Sequence, residues 1–159
     1  NQQASRTYQI PEKTVDRNAP QANLYIHSLA KDIIPYIESH YRVIAKKSGR
    51  AVAGLSMGGG HTTRVTANYP NLFDYICVMS AGMAETDQAK AELQGIKNAG
   101  YKLYWVGVGD KDFAYEGSLR LDKILTDLNM PHSLDISEGV HEWKVWRYGL
   151  NTFGRLLFK

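Results

Sequence analysis

Gly54-Leu55-Ser56-Met57-Gly58 is the stretch that decides the fold of this chain of 159 residues. It follows the pattern Gly-x-Ser-x-Gly, with an apolar run over residues 51–55 before the serine and a helical pattern over residues 57–69 after it. Serine in such a pattern occupies a sharp turn between a strand and a helix, where its hydroxyl points into a cleft. The glycines at both ends let the strand and the helix approach without a clash of Cβ atoms. The stretch therefore predicts that Ser56 is a nucleophile.

The residue after the serine has a predicted role of its own. Met57 begins the helix, and N–H groups in a first helical turn have no acceptor within the helix. Such an N–H can face the oxyanion that forms when a hydroxyl attacks a carbonyl carbon. We therefore expect the Met57 N–H to belong to an oxyanion hole.

Two other interpretations of this stretch are a glycine-rich turn around a buried serine and a phosphate-binding loop. Gly59 and Gly60 extend the run of glycines and indicate a crowded start of the helix. A phosphate-binding loop ends in Lys followed by Ser or Thr, and no such pair follows here. About 0.05 matches to the pattern are expected by chance in a chain of this length, so the buried-serine interpretation stays open on the pattern alone.

Helices and short apolar strands alternate along the rest of the chain. The predicted strands cover residues 51–55, 75–79, 103–108 and, more weakly, 132–136. The predicted helices cover residues 21–40, with a kink expected at Pro35, and residues 57–69, 86–97, 119–128 and 142–158. This alternation is typical of an α/β protein with a mostly parallel sheet and helices on both faces. We expect one partial domain over residues 1–159, with residues 1–20 as a polar loop.

Composition narrows the function classes. The net charge is only +3, and the basic residues do not form the positive face of a nucleic-acid-binding protein. No apolar run approaches the roughly 20 residues that cross a membrane. Cys77 lies within an apolar run and is expected to be an inert core thiol.

A serine nucleophile needs a base and an orienting carboxylate. In an α/β fold with the serine at this strand-to-helix turn, they follow the serine in the order acid, then histidine. Asp110 and Asp112 both follow the strand that ends at Val108. Asp112 is the stronger candidate because it lies further into the loop, where its side chain can reach the carboxyl edge of the sheet. Asp110 is expected to shape the Gly-Asp turn.

His141 is the predicted base because it follows the last strand. Gly139 gives its loop conformational freedom, and Trp143 is expected to wall the imidazole. The other histidines fit less well: two precede the serine, one lies on the nucleophile helix, and one begins a strand at the wrong end of the sheet; they are His27, His40, His61 and His132. Ser56, Asp112 and His141 therefore form the predicted catalytic triad, which requires no metal or cofactor.

Three segments of the chain resemble carbohydrate esterase family 1, the feruloyl and acetylxylan esterases, with the esterase D-like proteins as relatives. They are Gly-Arg-Ala-Val-Ala-Gly-Leu-Ser-Met-Gly-Gly at 49–59, Gly-Val-Gly-Asp-Lys-Asp at 107–112 and Glu-Gly-Val-His-Glu-Trp-Lys-Val-Trp-Arg at 138–147. The resemblance implies the C-terminal portion of an α/β-hydrolase and aligns Asp112, rather than Asp110, with the family's acid.

The resemblance also implies an activity. It suggests a serine esterase that hydrolyses feruloyl or acetyl esters of plant cell-wall xylan, in a secreted or periplasmic location. Four aromatic residues are candidates to line a pocket for an aromatic group, although such residues more often serve core or loop packing: Phe113, Tyr115, Trp143 and Trp146. A siderophore (enterochelin-type) esterase, acyl transfer to a sugar and a non-catalytic binding module for carbohydrate or protein remain alternatives.

One departure from the family concerns the start of the chain. In the family, a substantial N-terminal section carries early strands and a loop that donates the second oxyanion N–H. Its strand order would leave the strand at 51–55 at an open edge here, and an unpaired apolar edge promotes aggregation. We therefore expect that the chain is a fragment or that a second chain completes the sheet.

Overall fold

The computed structural model describes residues 24–159; the polar loop predicted for residues 1–20 lies outside these residues. Helix α1 (Leu24–Ser28) continues through a π-helical segment (Leu29–Ile33) into helix α2 (Ile34–His40). Pro35 lies in the first turn of α2. The predicted helix over 21–40 thus changes to π-helical hydrogen bonding over Leu29–Ile33, immediately before the turn that holds Pro35, whose nitrogen has no hydrogen to donate. No helix within the described residues is long and apolar enough to cross a membrane.

Four strands and four further helices alternate after a 3-10 turn at Lys47–Gly49. In chain order they are β1 (Ala51–Leu55), α3 (Met57–Asn68), β2 (Tyr75–Met79), α4 (Asp87–Ala99), β3 (Leu103–Gly109), α5 (Tyr115–Asp127), β4 (Ser133–Ser137) and α6 (Trp143–Gly154). Helix α5 begins one turn before its predicted start, because its first turn is polar and lacks the apolar stripe used to find it. Helix α6 ends at Gly154 rather than at residue 158, and turns follow it.

The sheet is parallel throughout and has the order β1-β2-β3-β4. Leu55 pairs with Met79, and Met79 pairs with Gly107. All four carboxyl ends therefore meet at one edge, where ligands bind in open α/β sheets. The predicted α/β fold with a parallel sheet is confirmed.

Alternate residues of the strands point to opposite faces of the sheet. On one face, Ile76, Val78, Tyr104 and Val106 pack with helices α4 and α5 in one buried cluster. On the other face, side chains of β2 and β3 pack with helix α6 in a second cluster: Tyr75, Cys77, Met79, Trp105, Val145, Trp146 and Phe153. The prediction of helices on both faces is confirmed.

Cys77 is fully buried within the second cluster. Burial raises the pKa of its thiol to about 12, so the thiolate that would react is disfavoured at neutral pH. The structure thus agrees with the prediction of an inert core thiol.

Strand β1 pairs only with β2 among the described residues. Several apolar side chains between the end of the π-helical segment and β1 are exposed: Ile33, Tyr36, Ile37, Tyr41, Val43 and Ile44. Within residues 24–159, β1 is therefore an edge strand, and the segment that precedes it in the chain exposes apolar side chains.

Candidate active site

Ser56 occupies the turn between β1 and α3. Its backbone has φ 53° and ψ −119°, a conformation that costs a non-glycine residue roughly 1–3 kcal/mol. The N–H of Ser56 donates to the Met79 carbonyl at 2.9 Å, and its carbonyl accepts from the Gly60 N–H at 3.1 Å. The two bonds hold the strained turn between strand and helix.

The glycines around Ser56 do not all act as predicted. A Cβ at Gly54 would lie 2.0 Å from the Gly58 carbonyl oxygen, so Gly54 is needed for the close approach of strand and helix. A Cβ at Gly58 would meet no described atom within 4 Å, whereas one at Gly59 would lie 2.6 Å from Ala81 Cβ. The prediction that Gly58 avoids a Cβ clash is therefore wrong, because a side chain at this position would face away from the sheet. Gly59 has that role instead, since it faces the end of β2.

The structure brings together the three residues predicted as a triad. His141 Nε2 lies 2.9 Å from Ser56 Oγ, and His141 Nδ1 lies 2.8 Å from Asp112 Oδ1. Asp112 accepts the Nδ1 hydrogen, so Nε2 is left as an acceptor for the Ser56 hydroxyl. The side chain of Asp112 is fully buried, while that of His141 is 19% exposed. The imidazole thus bridges a buried carboxylate and a serine hydroxyl at the carboxyl edge of the sheet.

Asp112 is held as a carboxylate. Burial raises its pKa, but the neighbouring Ser80 side chain, the Ala114 N–H and His141 outweigh that effect and lower the pKa below its ordinary value. The Ala114 N–H donates to Oδ1 at 2.8 Å. Asp112 is therefore ionised at neutral pH and can orient and stabilise an imidazolium.

Asp110 does not reach the imidazole. Its carboxylate accepts a hydrogen bond from the Gly139 N–H at 2.8 Å, and the Lys111 N–H donates to the Gly139 carbonyl at 3.0 Å. A Cβ at Gly109 would lie 2.3 Å from that same carbonyl oxygen. Asp110 thus joins its own loop to the loop of His141, rather than only shaping the Gly-Asp turn.

Two aromatic rings contact the imidazole. Phe113 lies 4.2 Å from His141 between ring centroids, and Trp146 lies 4.9 Å away in an edge-on arrangement. Trp143, predicted to wall the imidazole, instead packs on Trp146 at 5.3 Å and is 65% exposed. Trp146 walls the imidazole in place of Trp143 because it lies one turn further along helix α6 and faces the sheet.

The other histidines have partners elsewhere in the described residues. His27 bonds to the Tyr69 hydroxyl, His40 stacks on Tyr36, and His61 packs against Tyr25. His132 contacts Asp122 at 2.9 Å and the Met130 carbonyl at 2.7 Å. None of these contacts involves Ser56 or Asp112.

Met57 is the first residue of helix α3 and follows Ser56 directly. Its N–H, the first of the helix, has no intrahelical acceptor, and its partial positive charge adds to that of the helix N-terminus. A hollow of about 580 Å³ lies between residues 82–85 and 113–120, and it reaches the triad through Phe113, which contacts His141. Of the four aromatic residues considered for a pocket, Phe113 alone lines this hollow.

Ser80 is a buried polar residue of the site that sequence reasoning missed. It follows β2 directly, has φ 48° and is 2% exposed. The Trp146 indole N–H donates to its hydroxyl at 2.8 Å. Its place at the carboxyl end of a buried strand is the signal that could have identified it.

Known proteins place the chain in a family. The Esterase family model matches residues 2–155. An endo-1,4-beta-xylanase/feruloyl esterase of Xylanibacter ruminicola is 33% identical over 132 residues, which cover 82% of this chain and 17% of that protein. The chain therefore spans about a sixth of the length of this curated relative.

Solved structures show the same fold. A CE1 ferulic acid esterase of Anaeromyces mucronatus, in complex with ferulic acid, superposes with a TM-score of 0.74 at 20% identity, covering 84% of this chain and 54% of that one. A feruloyl esterase module of Clostridium thermocellum, complexed with sinapinate, gives 0.73 at 17% identity, covering 86% and 59%. At these identities the likeness concerns the α/β-hydrolase fold alone. With the family model matching nearly the whole sequence, the chain belongs to the Esterase family of α/β-hydrolases.

Proposed function

We propose that this protein is a serine esterase in which Ser56, His141 and Asp112 form the catalytic triad. The observation that carries the proposal is the continuous chain of two hydrogen bonds through His141, at 2.9 Å to Ser56 and 2.8 Å to Asp112. Family membership supports ester hydrolysis as the reaction class. The strained backbone of Ser56 supports it further, because such strain concentrates at functional sites.

The proposed reaction has two acyl-transfer steps. His141 Nε2 takes the proton of the Ser56 hydroxyl while Oγ attacks the ester carbonyl carbon. The Met57 N–H stabilises the resulting oxyanion. The tetrahedral intermediate breaks its bond to the alcohol oxygen, which receives the proton from His141. Water, deprotonated by His141, then attacks the carbonyl carbon of the acyl-enzyme. The bond from that carbon to Ser56 Oγ breaks, His141 returns the proton to Oγ, and the acid is released.

The proposed substrates are feruloyl or acetyl esters of plant cell-wall xylan. The names of the similar proteins support this class, since they include a xylanase/feruloyl esterase and structures holding ferulic acid and sinapinate. The exposed ring of Phe113, which lies next to His141 and lines the hollow, offers a surface for an aromatic acyl group. A polymeric substrate outside the cell supports a secreted or periplasmic location.

A further strand, from elsewhere in the protein or from a second chain, is proposed to pair with the free edge of β1. The exposed apolar residues in the segment that precedes β1 support this, as does the need for a second oxyanion donor. Amide hydrogen exchange in the intact protein tests it. We expect protection of the β1 N–H groups that point away from β2, and rapid exchange of those groups would contradict the pairing.

Turnover of a chromogenic ester by the intact protein tests the catalytic proposal. Ser56→Ala is expected to lower kcat by at least 10³-fold, whereas Ser39→Ala, at an exposed position of helix α2, should retain full activity. Activity retained by Ser56→Ala would exclude the nucleophile assignment.

Comparing methyl ferulate, acetylated xylan and enterobactin as substrates separates a xylan esterase from a siderophore esterase. Absence of turnover with all three substrates favours a binding module.

A further inference from the structure

We infer that Ser80, held by Trp146, is a positioning residue that donates its hydroxyl hydrogen to Oδ2 of Asp112 and so fixes the carboxylate against His141. This inference rests on the proposed triad. It concerns a residue pair behind the reacting groups, since Ser80 and Trp146 are both largely buried.

The hydroxyl of Ser80 has one hydrogen bond in place and one hydrogen to give. The Trp146 Nε1–H donates to Ser80 Oγ at 2.8 Å. An indole N–H can only donate, so the hydroxyl acts as acceptor in this bond and keeps its own hydrogen for another partner. In a buried position, that hydrogen needs an acceptor.

The carboxylate of Asp112 has an oxygen that lacks a hydrogen-bond donor. Its Oδ1 accepts from both His141 Nδ1 and the Ala114 N–H. Its Oδ2 is buried and has no partner in hydrogen-bond geometry among residues 24–159. Leaving a buried charged oxygen unpaired is unfavourable. Burial raises the pKa of Asp112, whereas the Ser80 side chain, the Ala114 N–H and His141 lower it.

The backbone places Ser80 and the loop of Asp112 at the same end of the sheet. The Ser80 N–H donates to the Gly107 carbonyl at 2.8 Å, so Ser80 lies beside the end of β3, the strand that leads to Asp112. Ser80 adopts φ 48°, which a serine keeps only where its surroundings determine it. Catalytic hydrogen bonds are often long in free enzymes and tighten when substrate binds, so the Ser80 bond to Oδ2 is expected to close in the working enzyme.

Trp146 connects this pair to the base as well. Its ring meets the His141 imidazole edge-on at 4.9 Å, while its N–H holds Ser80. One side chain thus contacts the base directly and orients the acid through Ser80. Trp146 and Ser80 are expected to affect kcat and not KM, because both lie behind the groups that meet the substrate.

Kinetics of Ser80→Ala in the intact protein test the inference. We expect kcat to fall about tenfold with KM unchanged, the loss that one hydrogen bond to a charged group gives. Ser118→Ala is the matched control, because Ser118 is equally buried but donates to the Ala81 carbonyl; its kcat should equal that of the wild type. Trp146→Phe, which keeps an aromatic ring but loses the N–H, should reproduce the Ser80→Ala defect.

The decisive comparison uses Asp112→Asn as a background. If Ser80 acts through the carboxylate, adding Ser80→Ala to Asp112→Asn should change kcat by less than twofold. An unchanged kcat in Ser80→Ala and Trp146→Phe, or the same tenfold loss in the Asp112→Asn background, would overturn the inference. Ser56→Ala, measured alongside, keeps the two proposals separate: if it retains activity the triad fails, and if it is inactive while Ser80→Ala is fully active only the role of Ser80 fails.

Discussion

The carboxylate of Asp110 accepts a hydrogen bond from the Gly139 N–H at 2.8 Å, two residues before His141. Two aspartates of one loop therefore serve the same histidine in different ways. Asp112 bonds to its imidazole, and Asp110 ties down the backbone that carries it. The division explains why both acids follow β3 closely although only one reaches the ring.

Substituting each aspartate should separate these roles. Asp112→Asn is expected to lower kcat by roughly 10³–10⁴-fold, because the amide favours the wrong imidazole tautomer. Asp110→Asn keeps an acceptor for the Gly139 N–H and should lower kcat by less than about tenfold. Steady-state kinetics with a chromogenic ester measure both, and equal losses would show that the assignment of the acid is wrong.

The pH dependence of stability should reveal the Asp112 carboxylate. Its pKa in the folded protein is lowered from 3.8, so its contribution to the free energy of unfolding is fully present above the unfolded-state pKa and is lost as pH falls through the lower folded value. Urea unfolding of the wild type and Asp112→Asn should therefore show a difference in free energy that shrinks below about pH 4. A difference that stays constant between pH 6 and pH 3 would contradict this account of Asp112.

Two neighbouring glycines of α3 should respond oppositely to alanine. A Cβ at Gly59 would lie 2.6 Å from Ala81 Cβ and 2.9 Å from the Met79 carbonyl oxygen, so Gly59→Ala should destabilise the protein by about 1–3 kcal/mol. A Cβ at Gly60 meets no described atom within 4 Å, and Gly60→Ala should be stabilising by up to about 1 kcal/mol. Thermal unfolding measures both. A similar melting temperature for the two variants would contradict the packing of α3 against the end of β2.

Phe113 should influence aromatic substrates more than small ones. Its ring is 82% exposed and lies 4.2 Å from the imidazole ring. Phe113→Ala is expected to raise KM for methyl ferulate by about three- to tenfold, which corresponds to one aromatic contact, with a smaller change for an acetyl ester. Trp143→Ala is the control, because Trp143 is also exposed but packs on Trp146 instead of His141. Equal changes in KM for both esters would exclude a specific role of Phe113.

The parts of this site that follow from local sequence could be predicted. The turn at Ser56, the positions of Asp112 and His141 after their strands, and the parallel sheet all depend on short-range pattern and chain order. The roles of Gly59, Ser80 and Trp146 depend on contacts between elements distant in sequence. A helix pattern does not say which glycine of a run faces the neighbouring strand, or which of two tryptophans turns towards the sheet.

Covalent labelling of the nucleophile tests the central claim most directly. The intact protein, treated with a fluorophosphonate and digested, should carry a single adduct on the peptide that contains Ser56, because an activated serine reacts and an ordinary one does not. His141→Ala should lose the adduct, since the base that activates Ser56 is gone. Absence of labelling in the wild type, an adduct on another residue, or undiminished labelling in His141→Ala would contradict a triad of Ser56, His141 and Asp112.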